Sequence, residues 1–246
     1  MNMSTYLTNP MGKGASVLSF APIRNELDKQ YSVLQHAISV TWYSLGKEYL
    51  IAHVKVPSHS IENLFYDVLI EIDINTIPDN VSVINNGNVR VFSNCPSFVF
   101  TFANVFNKNG DFIDWARSKY PKEIMKKDPE VRNPANVVSY ERSLYLAFKY
   151  ILSNGRNYKN RVKLNLTNSK TKDILKDVKT SEEILKEYQK GKDKQTKEET
   201  KPKEKSVDKK SPSTKLPPKK APGKNNKTKK TGKVGTSKRV KTTKKI

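Results

Sequence analysis

Phe65-Tyr66-Asp67-Val68-Leu69-Ile70-Glu71-Ile72-Asp73-Ile74 alternates along nearly its whole length. Val68, Ile70, Ile72 and Ile74 fall on one parity, and Asp67, Leu69, Glu71 and Asp73 on the other. A period of two predicts a β-strand with one dry face and one mainly wet face. Upstream, residues 38–43 and 49–56 are rich in β-branched and aromatic side chains and flank Ser44-Leu45-Gly46-Lys47, which reads as a hairpin. Downstream, residues 81–84 and 89–92 surround Asn85-Asn86-Gly87-Asn88, where the Asn-Gly pair readily supplies the positive φ of a tight turn. Residues 98–106 place Phe98, Phe100 and Phe102 opposite Val99, Thr101, Ala103 and Val105. Both sides are apolar, which predicts a sixth, central strand leaving through Asn107-Lys108-Asn109-Gly110.

The period then changes. Residues 112–120 read as a short helix closed by Pro121, and Pro129 and Pro134 confine the next stretch to loop. Residues 137–153 carry the strongest helical pattern, with Tyr140, Leu144, Ala147 and Ile151 at i, i+4, i+7 and i+11, Phe148 and Leu152 beside them, and Asn154-Gly155 as a stop. A weaker helix is expected over 173–189. Residues 1–30 show no clear period and contain Asn9-Pro10, Gly12, Gly14 and Pro22, as expected of a loosely ordered arm. There is no internal repeat. The fold expected is α+β: an antiparallel β roll or partly open barrel of about six strands with a C-terminal packing helix. Its parts are an arm (1–30), an α+β domain (31–160), a helical linker (161–189) and a disordered basic tail (190–246).

The tail holds most of the charge. Residues 190–246 contain 22 Lys or Arg against five acids, a net of +17 out of +22 for the chain, while residues 1–189 contain 24 against 19, a net of +5. No aromatic residue follows Tyr188, so the tail lacks the apolar surface needed to offset the entropy of ordering it. Pro212, Pro217, Pro218 and Pro222 oppose helix in its middle. After Asp208 there is no acid. The basic residues there are Lys209, Lys210, Lys215, Lys219, Lys220, Lys224, Lys227, Lys229, Lys230, Lys233, Lys238, Arg239, Lys241, Lys244 and Lys245. Such a segment suits DNA or RNA, because each lysine that neutralises a phosphate releases a counterion. It lacks the rigid Arg, Asn or Gln that read base edges and the aromatics that stack on single strands, so binding without sequence preference is expected. No aromatic or acyl-type anchor accompanies the charge, which argues against a membrane partner. In composition the tail resembles those of linker histones and some ribosomal proteins.

Candidate chemistry is sparse. Asp67, Glu71 and Asp73 share a strand face, with Glu62 upstream, and acids on a strand can present Mg²⁺ to a nuclease active site. Restriction-type nucleases place a lysine two residues after the glutamate, where this chain has Asp73. A solvated outer face explains the acids more simply, and on that reading Glu71→Gln should change stability by no more than about 0.5 kcal/mol. His36, His53 and His59 match no metal-ligand spacing and read as structural. The single cysteine, Cys95, excludes an intrachain disulfide and a cysteine zinc cluster, and reads as packing. The loops around Asn94-Cys95-Pro96-Ser97 and Pro129-Glu130-Val131-Arg132-Asn133-Pro134 read as structural turns rather than a partner surface. No nucleotide-binding loop, dinucleotide fingerprint or nucleophile elbow is present, so no cofactor is expected. A polar N-terminus and the absence of a long apolar run point to a cytoplasmic protein.

Residues 91–102, Val91-Phe92-Ser93-Asn94-Cys95-Pro96-Ser97-Phe98-Val99-Phe100-Thr101-Phe102, with Asn107-Lys108-Asn109-Gly110 and Arg132-Asn133-Pro134, resemble virion-associated or uncharacterised proteins of bacteriophages infecting low-GC Gram-positive bacteria. The resemblance implies a phage structural or DNA-associated protein, found in host cytoplasm and virion. The expectation is therefore a non-enzymatic protein whose domain docks on another protein or on itself, and whose tail holds nucleic acid. The alternatives are a Mg²⁺-dependent nuclease using Asp67, Glu71 and Asp73, tethered by its tail, and a ribosomal or nucleoid-associated protein.

Overall fold

The computed structural model describes residues 1–8, 17–74, 84, 87–124, 133, 138–154 and 169–199. Its centre is a four-stranded antiparallel sheet, β1 (Ser39–Leu45), β2 (Tyr49–Pro57), β3 (Phe65–Asp73) and β4 (Val89–Ser93), in the order β1-β2-β3-β4. The first three strands lie where alternation and β-branched content place them. The β1–β2 hairpin closes with Leu45 opposite Tyr49, and Gly46 supplies the left-handed φ of +64° that the turn requires. A linear order leaves two edges, so among the described residues the sheet is open rather than a six-stranded roll or barrel. The outer edge of β4 is met by the chain at 111–113: Val91 N donates to Asp111 O at 2.8 Å, and Ile113 N donates to Val91 O at 3.1 Å. Of the strand expected at 81–84, residues 81–83 lie outside the described set, and Ile84 is buried.

The expected sixth strand is instead two short helices, α3 (Pro96–Thr101) and α4 (Ala103–Lys108). Nearly every position from 98 to 106 is apolar, so the run satisfies a period of two and a period of 3.6 equally well. Cys95-Pro96 breaks the tie, since Pro occupies the first helical position with Cys95 extended before it. On the helix Phe98 and Phe106 turn inward while Phe100 is 42% exposed.

The described residues of the N-terminal arm, 1–8 and 17–30, are largely helical. α1 (Met3–Thr8) buries Met3 and Tyr6 completely, and α2 (Val17–Leu34) buries Leu27 and Tyr31. The Tyr6 hydroxyl donates to Ser139 O at 2.8 Å and accepts from Glu141 N at 2.7 Å, and its ring meets Phe148 edge-on at 5.1 Å. These two hydrogen bonds fasten α1 to the start of α5 (Arg142–Ser153). Tyr6→Phe leaves the buried Glu141 N–H and the partly buried Ser139 C=O without that partner and should cost about 2 kcal/mol in denaturant unfolding. A cost below about 0.5 kcal/mol would mean the arm contributes little to the fold. The helix itself begins at Arg142 rather than 137, because the Glu141 side chain caps it, accepting from Leu144 N at 2.9 Å.

The helix expected over 173–189 is broken into α6 (Thr171–Lys176) and α7 (Ser181–Glu199). α7 runs on through residues 190–199, which were expected to belong to the disordered tail. At Gly191 it passes so close to the loop after β2 that a Cβ would overlap the Ile61 side chain, and Gln195 Nε2 donates to Ser60 O at 2.8 Å. Met1–Lys201 makes one unit of the chain, and the other, Pro202–Ile246, lies outside the described residues.

Both faces of the sheet are covered. On one, the rows through Val54, Val68, Ile70, Ile72 and Val91 lie on the side of α5, whose Ser143 Oγ is 2.9 Å from Ser93 Oγ. On the other, the rows through Ile51, His53, Asp67, Leu69, Glu71 and Phe92 meet the 3₁₀ turn Asp114–Lys119 and the C-terminal segment. Trp115 and the backbone of Lys179 bond to it, and Tyr120 stacks on Phe92 at 4.9 Å. The middle of the face expected to be wet is therefore dry: Asp67 is 4% exposed and Glu71 1%, while Asp73 at its end is half-buried.

Candidate functional site

The three acids of β3 fall into two separate arrangements. Residues four apart on a strand are about 13 Å apart along it, so Asp67 and Glu71 cannot share one cation. Asp67 lies opposite Lys55 on β2, which makes His53 its diagonal neighbour on the same face. His53 Nε2 is 2.8 Å from Asp67 Oδ1. A carboxylate only accepts, so this nitrogen carries the hydrogen. Oδ2 accepts from Asn94 Nδ2 at 2.9 Å and from Lys179 N at 3.1 Å. Asn94 closes the cluster, its Oδ1 accepting from Asp67 N at 2.8 Å and its Nδ2 donating to Lys179 O at 3.1 Å. His53, Asp67 and Asn94 are all buried, and the carboxylate oxygens of Asp67 and the amide of Asn94 are occupied by one another, by His53 Nε2 and by the backbone at 67 and 179.

Glu71 is held differently. Arg90, directly opposite on β4, donates Nε to Oε1 at 2.5 Å, and Trp115 Nε1 donates to Oε2 at 2.7 Å. The Arg90 guanidinium lies over the Tyr49 ring, 5.4 Å from its centroid. Asp73, half-buried at the end of β3, lines a cleft of about 360 Å³ together with Tyr49, Glu71, Asn88, Arg90 and Asp111. Within this cleft the Glu71 carboxylate is already paired with Arg90. Among the described residues no group of three or more His, Cys, Asp or Glu is placed to hold a metal ion.

His36 and His59 are exposed, while His53 has the acid partner that its spacing in the sequence did not reveal. The pairing depends on the β2–β3 register, which the loop at 58–64 sets and residue spacing alone does not disclose. Cys95 is buried at the head of α3. Burial, and after it the neighbouring charge of Glu141, push its thiol well above the ordinary range and disfavour the thiolate that a nucleophile needs. A disulfide reagent at neutral pH should label Cys95 only as fast as the protein opens, and immediate stoichiometric labelling would contradict that burial. Asn133 is buried and donates to Thr101 O at 3.2 Å, and residues 129–132 and 134 around it lie outside the described set. The fifteen basic residues after Asp208 likewise lie outside it. No described helix is long and apolar enough to cross a membrane.

The chain matches no protein-family model, no curated protein and no solved structure.

Proposed function

We propose that this chain is a non-enzymatic, nucleic-acid-associated structural protein, in which an α+β unit docks on a protein partner or on a second copy and a basic tail holds DNA or RNA without sequence preference. The observation that carries this reading is the partition of charge. Residues 1–199 contain 28 basic and 22 acidic side chains, a net of +6, whereas residues 200–246 contain 18 and two, a net of +16. A polyanion is drawn to a lysine-dense segment by counterion release, without any base-reading surface. The acids of β3 support the non-enzymatic part: Asp67 and Glu71 have their oxygens occupied by protein donors and stand too far apart to act on one metal. The finer placement, in a phage virion or assembly with the tail against packaged DNA, follows the resemblance of residues 91–102.

The test compares the full chain with a chain ending at Lys201 on immobilised duplexes of several unrelated sequences at low salt. The full chain should be retained equally on all of them and the shortened chain on none. Equal retention of the two chains would remove the tail from the function.

A further inference from the structure

The two faces of the sheet are dry for different reasons. Against α5 lie Leu50, Val54, Val68, Ile70, Ile72 and Val91, fully buried aliphatics that water would penalise on exposure. The other face mixes buried Ile51, Leu69 and Phe92 with His53, Asp67 and Asn94, groups that water solvates well, and residues 169–199 bond to it through Asp67 and Asn94. We propose that residues 169–199 form a releasable strap over this polar part of the sheet, and that Asp67 is the positioning residue that keeps it closed.

The polar contacts that hold the strap to the sheet and to the 3₁₀ turn are concentrated at 178–181. Lys179 N donates to Asp67 Oδ2 at 3.1 Å, and Lys179 O accepts from Asn94 Nδ2 at 3.1 Å. Lys119 Nζ donates to Val178 O, and Ser181 Oγ donates to Lys119 O at 3.3 Å. A further backbone bond, Ser169 N to Ser44 O at 2.9 Å, pins the start of the strap to β1. Its fully buried apolar anchors are Ile174, Val178 and Ile184, against Leu144, Tyr145, Leu146, Ala147, Phe148 and Ile151 on the shorter α5. Fewer apolar anchors and a polar seam over a solvatable surface are the marks of a segment that opens below the global unfolding free energy. On opening, the seam exchanges protein hydrogen bonds for water, whereas displacing α5 would expose an aliphatic sheet. The strap leads directly into the basic tail, so whatever the tail holds is attached to the sheet through this catch.

Native-state hydrogen exchange on the full chain tests the proposal. In the unmodified protein the amides of α7 near Ile184 should exchange at least about tenfold faster than those of Leu69 and Ile70 in β3. Asp67→Asn sets an amide NH₂ against donors, and Lys179→Pro removes the strap's own N–H without touching the sheet. Each should speed strap exchange by a further tenfold or so, while β3 and α5 amides keep their rates. If Asp67→Asn fails to fold, Lys179→Pro decides. Strap amides exchanging at the β3 rate in the unmodified protein would overturn the proposal. So would a variant that accelerates strap, β3 and α5 by one common factor.

Discussion

Raising salt from about 50 to about 200 mM is expected to weaken binding of the full chain to duplex DNA by roughly three to five orders of magnitude, with a slope of log K against log salt between about −5 and −9. Fifteen Lys or Arg follow Asp208 with no acid among them. If six to ten of them neutralise phosphates at once, each contributes about 0.9 to the slope. Scrambling the DNA sequence should leave the slope and the affinity unchanged, since lysines on an extended segment present point charges rather than a rigid fork to base edges. The chain ending at Lys201 should lose the steep dependence together with the binding. A slope shallower than about −2 for the full chain, or a preference of tenfold or more for one sequence, would refute charge-driven holding by the tail.

Glu71→Ala is expected to lower stability by about 3 kcal/mol, which for a unit of this size means a fall in Tm of about 6–12 °C. The substitution strands the Trp115 N–H and the Arg90 guanidinium, which now meet the two oxygens of a side chain 1% exposed. Arg90 is itself 36% exposed, so water takes over part of its charge and the loss stays at the lower end for a broken buried pair. Replacing Glu71 and Arg90 together by Leu and Met should recover much of the loss, because neither charge of the pair is then left without its partner. Calorimetry of the three proteins checks both parts. A change in Tm under about 2 °C for Glu71→Ala would restore the solvated-face reading, under which this position matters by no more than about 0.5 kcal/mol.

The elements legible in the sequence were those whose signal is strictly local. β1 to β3 and the body of α5 lie where period and composition put them, because alternation of Val and Ile with other residues along ten positions admits one regular structure. α3 and α4 are not legible, since Phe98 to Phe106 is apolar at almost every position and a uniform run carries no period. α1 is not legible for another reason. Tyr6 looks unanchored until Ser139 and Glu141, more than 130 residues later, arrive beside it.

The same distinction separates what the chain's residues determine alone from what only tertiary structure decides. The partition of charge is a property of side chains taken one at a time, so a net of +16 in residues 200–246 is readable without any fold. The fate of Asp67 and Glu71 is not. Whether a carboxylate on a strand faces water depends on what lies across it, and here the cover comes from Trp115 and from the backbone at Lys179, 44 and 112 residues away along the chain. Burial turned acids that alternation marks as solvated, and that a nuclease would use for metal, into hydrogen-bonded anchors. A charge removed from water must find its partners within the protein.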